Sequence, residues 1–238
     1  MFSEAIKYFN RPTYTENNRS VAVRAFIIFI FKLILLVILV GIFKGFIYAF
    51  NAIPSNTLKN FHLSSFQAYL LVALYIPIIE EVIFRLNLKI SLNNLIIFFA
   101  FLSGYFFYRI FKVENLNHPW IVILTFTLMI VLIYIKAKKS EEVDQFLSNF
   151  WKRYFAIIFH ASCCIFAFLH LFNFEEIIPT LLFLSTVIVL PQLILAYALG
   201  FLRMNYGFQY NVIFHILYNS LFFILCSMNL LKNKLIFV

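Results

Sequence analysis

Long apolar runs separated by short polar breaks make up almost the whole chain, and the runs exceed what a buried helix of a soluble domain needs. Counted against the roughly 20 apolar residues that cross a bilayer, they predict spans at about 25–49, 66–88, 93–111, 119–136, 153–173, 176–203 and 209–228. The pattern predicts an all-α fold, a polytopic transmembrane bundle of about seven to eight helices. The count is open by one because 176–203 is overlong and holds Pro179 and Pro191, which predicts either one kinked helix or two shorter pieces. Residues 1–24 then form a cytoplasmic N-terminal segment and 25–238 a transmembrane helical domain. With Glu4, Lys7, Arg11, Glu16, Arg19 and Arg24 ahead of it, the first span is preceded by a stretch too polar and too long for a signal-peptide n-region, so it stays attached as an anchor. Lys32 and Lys44 inside that span predict a tilted or partly interfacial helix.

Composition agrees with the pattern. Of 238 residues 63% are hydrophobic and 12% charged, at a mean hydropathy of +0.93, against roughly 45–50% apolar in a soluble domain. The first partner is therefore the lipid bilayer. Thirty-three Phe and only five Gly argue against a transmembrane barrel, whose strands alternate polar and apolar residues. The net charge of +9 does not point to nucleic acid, because the Lys and Arg flank apolar spans and form no basic, aromatic-interleaved patch. They act as orientation signals instead. Placing the N-terminus in the cytoplasm puts twelve of them inside and five outside, with the two in the first span completing nineteen. The connection from Lys136 to Arg153, with Glu141, Glu142 and Asp144, is expected to be a solvated cytoplasmic loop. Cys163, Cys164 and Cys226 lie in apolar segments and predict packing, not a disulfide framework.

Polar groups inside the spans are few, and they form patterns. Glu80-Glu81-Val82-Ile83-Phe84-Arg85 closes an apolar run from Ser65 to Ile79. Ionisable residues at membrane depth are costly and mark functional sites; the alternative is that the helix ends here and the charges reach the interface. Glu81 and Arg85, four apart, share a face suited to an ion pair. Glu80 projects about 100° away and is left for another neighbour. Pro77 lacks a backbone donor, so it predicts a kink and a freed carbonyl at the same level. Phe166 and His170 stand one turn apart, as do His215 and Asn219. A His and Asn on one face suit an oxyanion or a metal-bound ligand, and equally suit hydrogen bonding between membrane helices. His62, His118 and His160 stand outside these patterns and are expected to be interfacial or satisfied by backbone.

In order, Glu-Glu-x-x-x-Arg, Phe-x-x-x-His and His-x-x-x-Asn resemble the three motifs of the CPBP family, the CAAX proteases and bacteriocin-processing enzymes also called Abi. Leu199-Gly200-Phe201-Leu202-Arg203, followed by Gly207 and His215, resembles the segment leading into the family's third motif. The resemblance covers about 66–228. It implies an intramembrane endopeptidase, in a bacterial cytoplasmic membrane, acting on a membrane-associated or lipid-tethered protein or peptide. By the same resemblance Glu80 activates water with help from His170, His215 and Asn219 stabilise the oxyanion, and Glu81 and Arg85 hold the first motif in place. Two extra spans, at 93–111 and 119–136, separate the first two motifs and imply an inserted hairpin at about 93–136. With these spans Glu80 and His215 fall in the inner half of the membrane and His170 in the outer, about 10 Å apart in depth.

The family is often called a metalloprotease, and Glu80, His170 and His215 would be the zinc ligands if a metal is bound. A Glu that binds metal cannot equally serve as base, and there is no His-Glu-x-x-His, so a metal-independent mechanism needs fewer assumptions. Two other functions compete: a non-catalytic membrane immunity or scaffold protein that keeps the motifs for interhelical bonding, and a small transporter with a Glu and His proton relay.

Overall fold

The computed structural model describes residues 1–16, 18–20, 22–49, 65–99, 127–128, 131, 134–135, 141–173 and 185–227, and among the described residues all regular structure is helical. In chain order, α1 spans Phe2–Asn10, α2 Val23–Ala49, α3 Ser65–Tyr69, α4 Ile76–Phe84, α5 92–99, α6 Glu141–Leu169, α7 Ser185–Ile188, α8 Leu190–Asn205 and α9 Phe208–Ser227. A π-helical segment, Leu70–Tyr75, joins α3 to α4, and 3-10 turns follow α4 at Leu86–Leu88 and α6 at His170–Asn173. Among the described residues one helix, α6, is long and apolar enough to cross a membrane. The expected hairpin at 93–136 lies largely, and His62, His118 and Pro179 wholly, outside the described residues.

Where the apolar run is the main signal, boundaries follow it: α2 covers the first run, Ser65–Leu88 is helical apart from a turn at Arg85, and α9 covers the last. Elsewhere the fold differs from expectation. Residues 141–152 are not a loop but the first three turns of α6. Glu141, Glu142 and Asp144 sit in its first turn, where carboxylates complement the positive end of the helix dipole. Phe146, Phe150 and Tyr154 follow at four-residue spacing, with ring centroids 6.3 and 4.9 Å apart. Where it is described, the overlong run at 176–203 is interrupted at one residue, Val189. Val189 leaves helical geometry with ψ at 0°, and α8 restarts with Pro191 in its first turn, a position where a missing N–H costs nothing.

Helix α8 is the centre of the core. Leu195, Ala196, Ala198, Leu199, Phe201 and Leu202 are buried between Phe155, Phe159 and Phe166 of α6, Phe29 and Leu33 of α2, and Phe214 of α9. Gly200 permits the closest approach, since a Cβ there would stand 2.6 Å from Phe159 Cε2. Gly207, at φ +115°, ends α8 in the left-handed region that glycine enters without penalty.

The N-terminal segment is part of this core, which run lengths do not reveal. On α1, Ala5 and Tyr8 are buried, and the Tyr8 ring meets Phe159 and Phe201 at 5.4 and 5.6 Å. After α1 the chain is strapped across the helix ends. Tyr8 donates to the Thr13 carbonyl, Thr15 Oγ1 to the Met204 carbonyl at 2.6 Å, and Arg19 N–H to the Asn205 carbonyl at 2.7 Å. Lys89 Nζ donates to the Glu16 carbonyl and Asn18 Oδ1, and Lys152 Nζ lies 2.7 Å from Glu16 Oε1.

Candidate active site

The site is built where α9 runs antiparallel to the α3–α4 segment. Tyr69 stacks edge-on against Phe223 at 5.5 Å and its hydroxyl meets Ser220 Oγ at 3.3 Å, while Glu81 faces His215. Pro77 sets the local backbone. The π turn ends with Ile76 N–H bonded to the Leu71 carbonyl. In that register the next bond would run from residue 77 to the Val72 carbonyl, but proline has no N–H to give. The freed carbonyl accepts instead from Asn219 Nδ2 at 3.1 Å. The expectation of a freed carbonyl is met, and Asn219 is the residue that fills it.

One turn further, His215 sits between the two glutamates. Its Nδ1 lies 2.8 Å from Glu81 Oε1 and its Nε2 3.6 Å from Glu80 Oε2. A carboxylate only accepts, so Nδ1 carries the proton donated to Glu81, and Nε2 is the nitrogen turned to Glu80. The two carboxylates differ in access: the Glu81 side chain has no exposed surface and Glu80 keeps 25% of its own. The Glu81–Arg85 pair exists but is loose. Arg85 Nη1 stands 3.5 Å from Glu81 Oε1 without hydrogen-bond geometry, and its guanidinium instead lies 3.9 Å over the Phe166 ring, a cation–π contact. Glu81 Oε2 accepts from Asn211 Nδ2.

Phe166 joins the second motif to the rest. Its ring centroid is 5.0 Å from that of His170 and 6.0 Å from that of His215, so both imidazoles pack on one ring. His170 Nδ1 pairs with the Phe166 carbonyl at 2.9 Å, which fixes Nδ1 as its protonated nitrogen. Helix α4 is held at its end by the neighbours that carry these residues. Ser162 Oγ, one turn before Phe166, donates to the Phe84 carbonyl at 2.7 Å, and Arg203 donates through Nε and Nη2 to the carbonyls of Arg85 and Leu86 at 3.0 Å each. These bonds satisfy carbonyls that a helix end leaves open.

Glu80, Glu81, Arg85, Phe166 and His215 thus meet between α4, α6 and α9 with Glu80 on the accessible side, while His170 reaches this group through the Phe166 ring and Asn219 bonds the Val72 carbonyl. His160 stands apart, its Nδ1 2.8 Å from the Tyr197 hydroxyl. Among the described residues no group of three or more His, Cys, Asp or Glu side chains is placed to hold a metal ion, so Glu80, His170 and His215 do not converge as a ligand set. Two contributors escaped the sequence reading. Asn211 was legible in principle, since it precedes His215 by the same four residues that separate His215 from Asn219; Ser162 had no signal at all. No family model, curated protein or solved structure matches the chain.

Proposed function

We propose that this chain is a polytopic integral membrane protein of a bacterial cytoplasmic membrane, with its N-terminus in the cytoplasm, and an intramembrane endopeptidase of the CPBP type. Its substrate is a membrane-associated or lipid-tethered protein or peptide. One observation carries the reading: His215 lies between Glu80 and Glu81, bonded to the buried carboxylate through Nδ1 and facing the accessible one through Nε2. That is the arrangement of a base, an imidazole and an orienting acid. Glu80 takes a proton from water as the water oxygen bonds to the substrate carbonyl carbon, then returns it to the leaving amine as the C–N bond breaks. Asn219 Nδ2 has two hydrogens and its bond to Val72 uses one, which leaves an oxyanion donor beside His215. His170, across Phe166, assists Glu80. No step is routed through a metal.

The test uses the full chain in lipid nanodiscs, incubated with a bacterial membrane fraction in water enriched in oxygen-18. New C-termini bearing one oxygen-18 are expected with the wild-type chain and not with Glu80→Ala or His215→Ala. The same termini from both variants overturn the assignment. A second reading, a non-catalytic scaffold or immunity protein, draws on the backbone bonds of Asn219 and His170, which are those of helix-to-helix ties. It expects Glu80→Gln to retain cellular function.

A further inference from the structure

Asn211 lies one turn before His215 on α9, with no exposed surface. Its Nδ2 donates to Glu81 Oε2, the carboxylate oxygen that His215 does not use, while its Oδ1 has no hydrogen-bond partner. A buried amide left half satisfied is unfavourable, and an apolar side chain of the same shape would avoid that cost. What such a side chain would lack is the donor. Arg85 does not supply a substitute: at 3.5 Å it makes no hydrogen bond to Glu81 and rests on the Phe166 ring. Both hydrogen bonds on the Glu81 carboxylate therefore come from α9, one to each oxygen. Two such bonds fix the carboxylate plane, and the plane fixes which imidazole nitrogen it meets.

We infer that Asn211 is a positioning residue of this site, whose amide orients Glu81 so that Glu81 holds His215 as the Nδ1–H tautomer with Nε2 facing Glu80. The tautomer claim stands on geometry alone; its effect on rate rests on the peptidase reading above.

The full chain in nanodiscs, labelled with nitrogen-15 histidine and with the His215 signals assigned through His215→Gln, gives the direct readout. In the wild type the ring couplings place the proton on Nδ1. Asn211→Ala and Asn211→Leu, the second keeping the shape without the donor, are expected to bring up an Nε2–H population at His215. The oxygen-18 termini should form about 10- to 100-fold more slowly, the usual scale for losing the partner that orients a catalytic side chain. An unchanged Nδ1–H tautomer in either folded variant overturns the inference. Failure of both to fold also overturns it, because Asn211 would then serve the fold and not the imidazole. A tautomer shift in a protein whose wild type yields no oxygen-18 termini supports the role of Asn211 and removes the peptidase.

Discussion

Two seams of this molecule are equally closed to solvent and built from opposite materials. Between α8 and α6, Gly200 lies under the Phe159 ring with Leu199, Phe155 and Phe201 around it. Between α9 and α4, the buried groups are Asn211, His215, Glu81 and Arg85. The first seam fixes how near two helices come, through non-directional contact that is felt at the level of single methyl groups. The second fixes which atom faces which, through hydrogen bonds that cross from one helix to the other. Substitutions at the accessible end of the polar seam should therefore remove chemistry with little loss of fold, and those in the apolar seam should do the reverse.

The largest expected effect breaks the polar seam at its accessible end. Glu80→Gln keeps the size of the side chain and removes the base, and the partly exposed position tolerates the change. Cleavage, followed as oxygen-18 incorporation, should fall by about 10² to 10⁴, the usual worth of a general base, while the thermal midpoint in detergent stays within error. His215→Ala should match the loss in rate and also lower the midpoint, because it leaves Glu81 buried without one of its two donors. If Glu80→Gln unfolds the protein instead, the two seams are not separable in the way described.

The second effect tests the other seam. Gly200→Val puts a branched side chain where even a Cβ would be 2.6 Å from Phe159, and Phe159 is itself fully buried. Overpacking of this kind costs about 1–3 kcal/mol, seen as a lower midpoint with the rate per folded molecule unchanged. Retained stability would mean that α8 and α6 can slide apart, and that the seam sets less than its closeness implies.

How far these seams were legible follows from the same contrast. Apolar run length locates α2, the Ser65–Leu88 segment and α9, because the length of a run is a property of consecutive residues. The four-residue spacings of Glu81 with Arg85 and of His215 with Asn219 follow from the helical period. Partners across helices do not. Pro77 announces a freed carbonyl, but only the folded chain shows a π turn there and Asn219 as the donor. Arg85 pairs with Glu81 as its spacing predicts, but its guanidinium also lies over Phe166, and cation–π contact with a ring on α6 has no trace in local spacing. Residues 141–152 read as loop from their charge, yet their aromatic residues at four-residue spacing carry a helical period that the charge masks. The docking of α1 was invisible because a short amphipathic stretch does not name what it packs against.

The third effect sharpens the boundary between the two kinds of seam at Asn219, which is both a tie to Val72 and a candidate oxyanion donor. Asn219→Ala leaves the Val72 carbonyl without its partner and should lower stability by about 1–3 kcal/mol. It should also slow cleavage by about 10² to 10³ if the amide stabilises the oxyanion. A loss of stability alone, with the rate per folded molecule unchanged, would confine Asn219 to the backbone of the π turn.

The smallest effect concerns the strap that ties the N-terminal segment over both seams. Glu16 and Lys152 meet at 2.7 Å on the surface, and the hydrogen bond from Lys152, then its charge, holds the Glu16 carboxyl below its ordinary value of 4.5. A depressed carboxyl contributes stability above its ordinary value and loses it as pH falls through the folded one. The difference in midpoint between wild type and Glu16→Gln should thus be present at pH 7, shrink below pH 4.5, and vanish in about 1 M salt, where screening reaches about 3 Å. It should be small throughout, since exposed pairs are worth little and the Glu16 carbonyl still accepts from Lys89. The strap is also held by Thr15 and by the Arg19 amide, bonded to carbonyls at the end of α8, and none of these bonds needs a charge. A Glu16→Gln effect as large as that of Gly200→Val, insensitive to salt, would mean that the strap and not the aromatic core holds α1 in place.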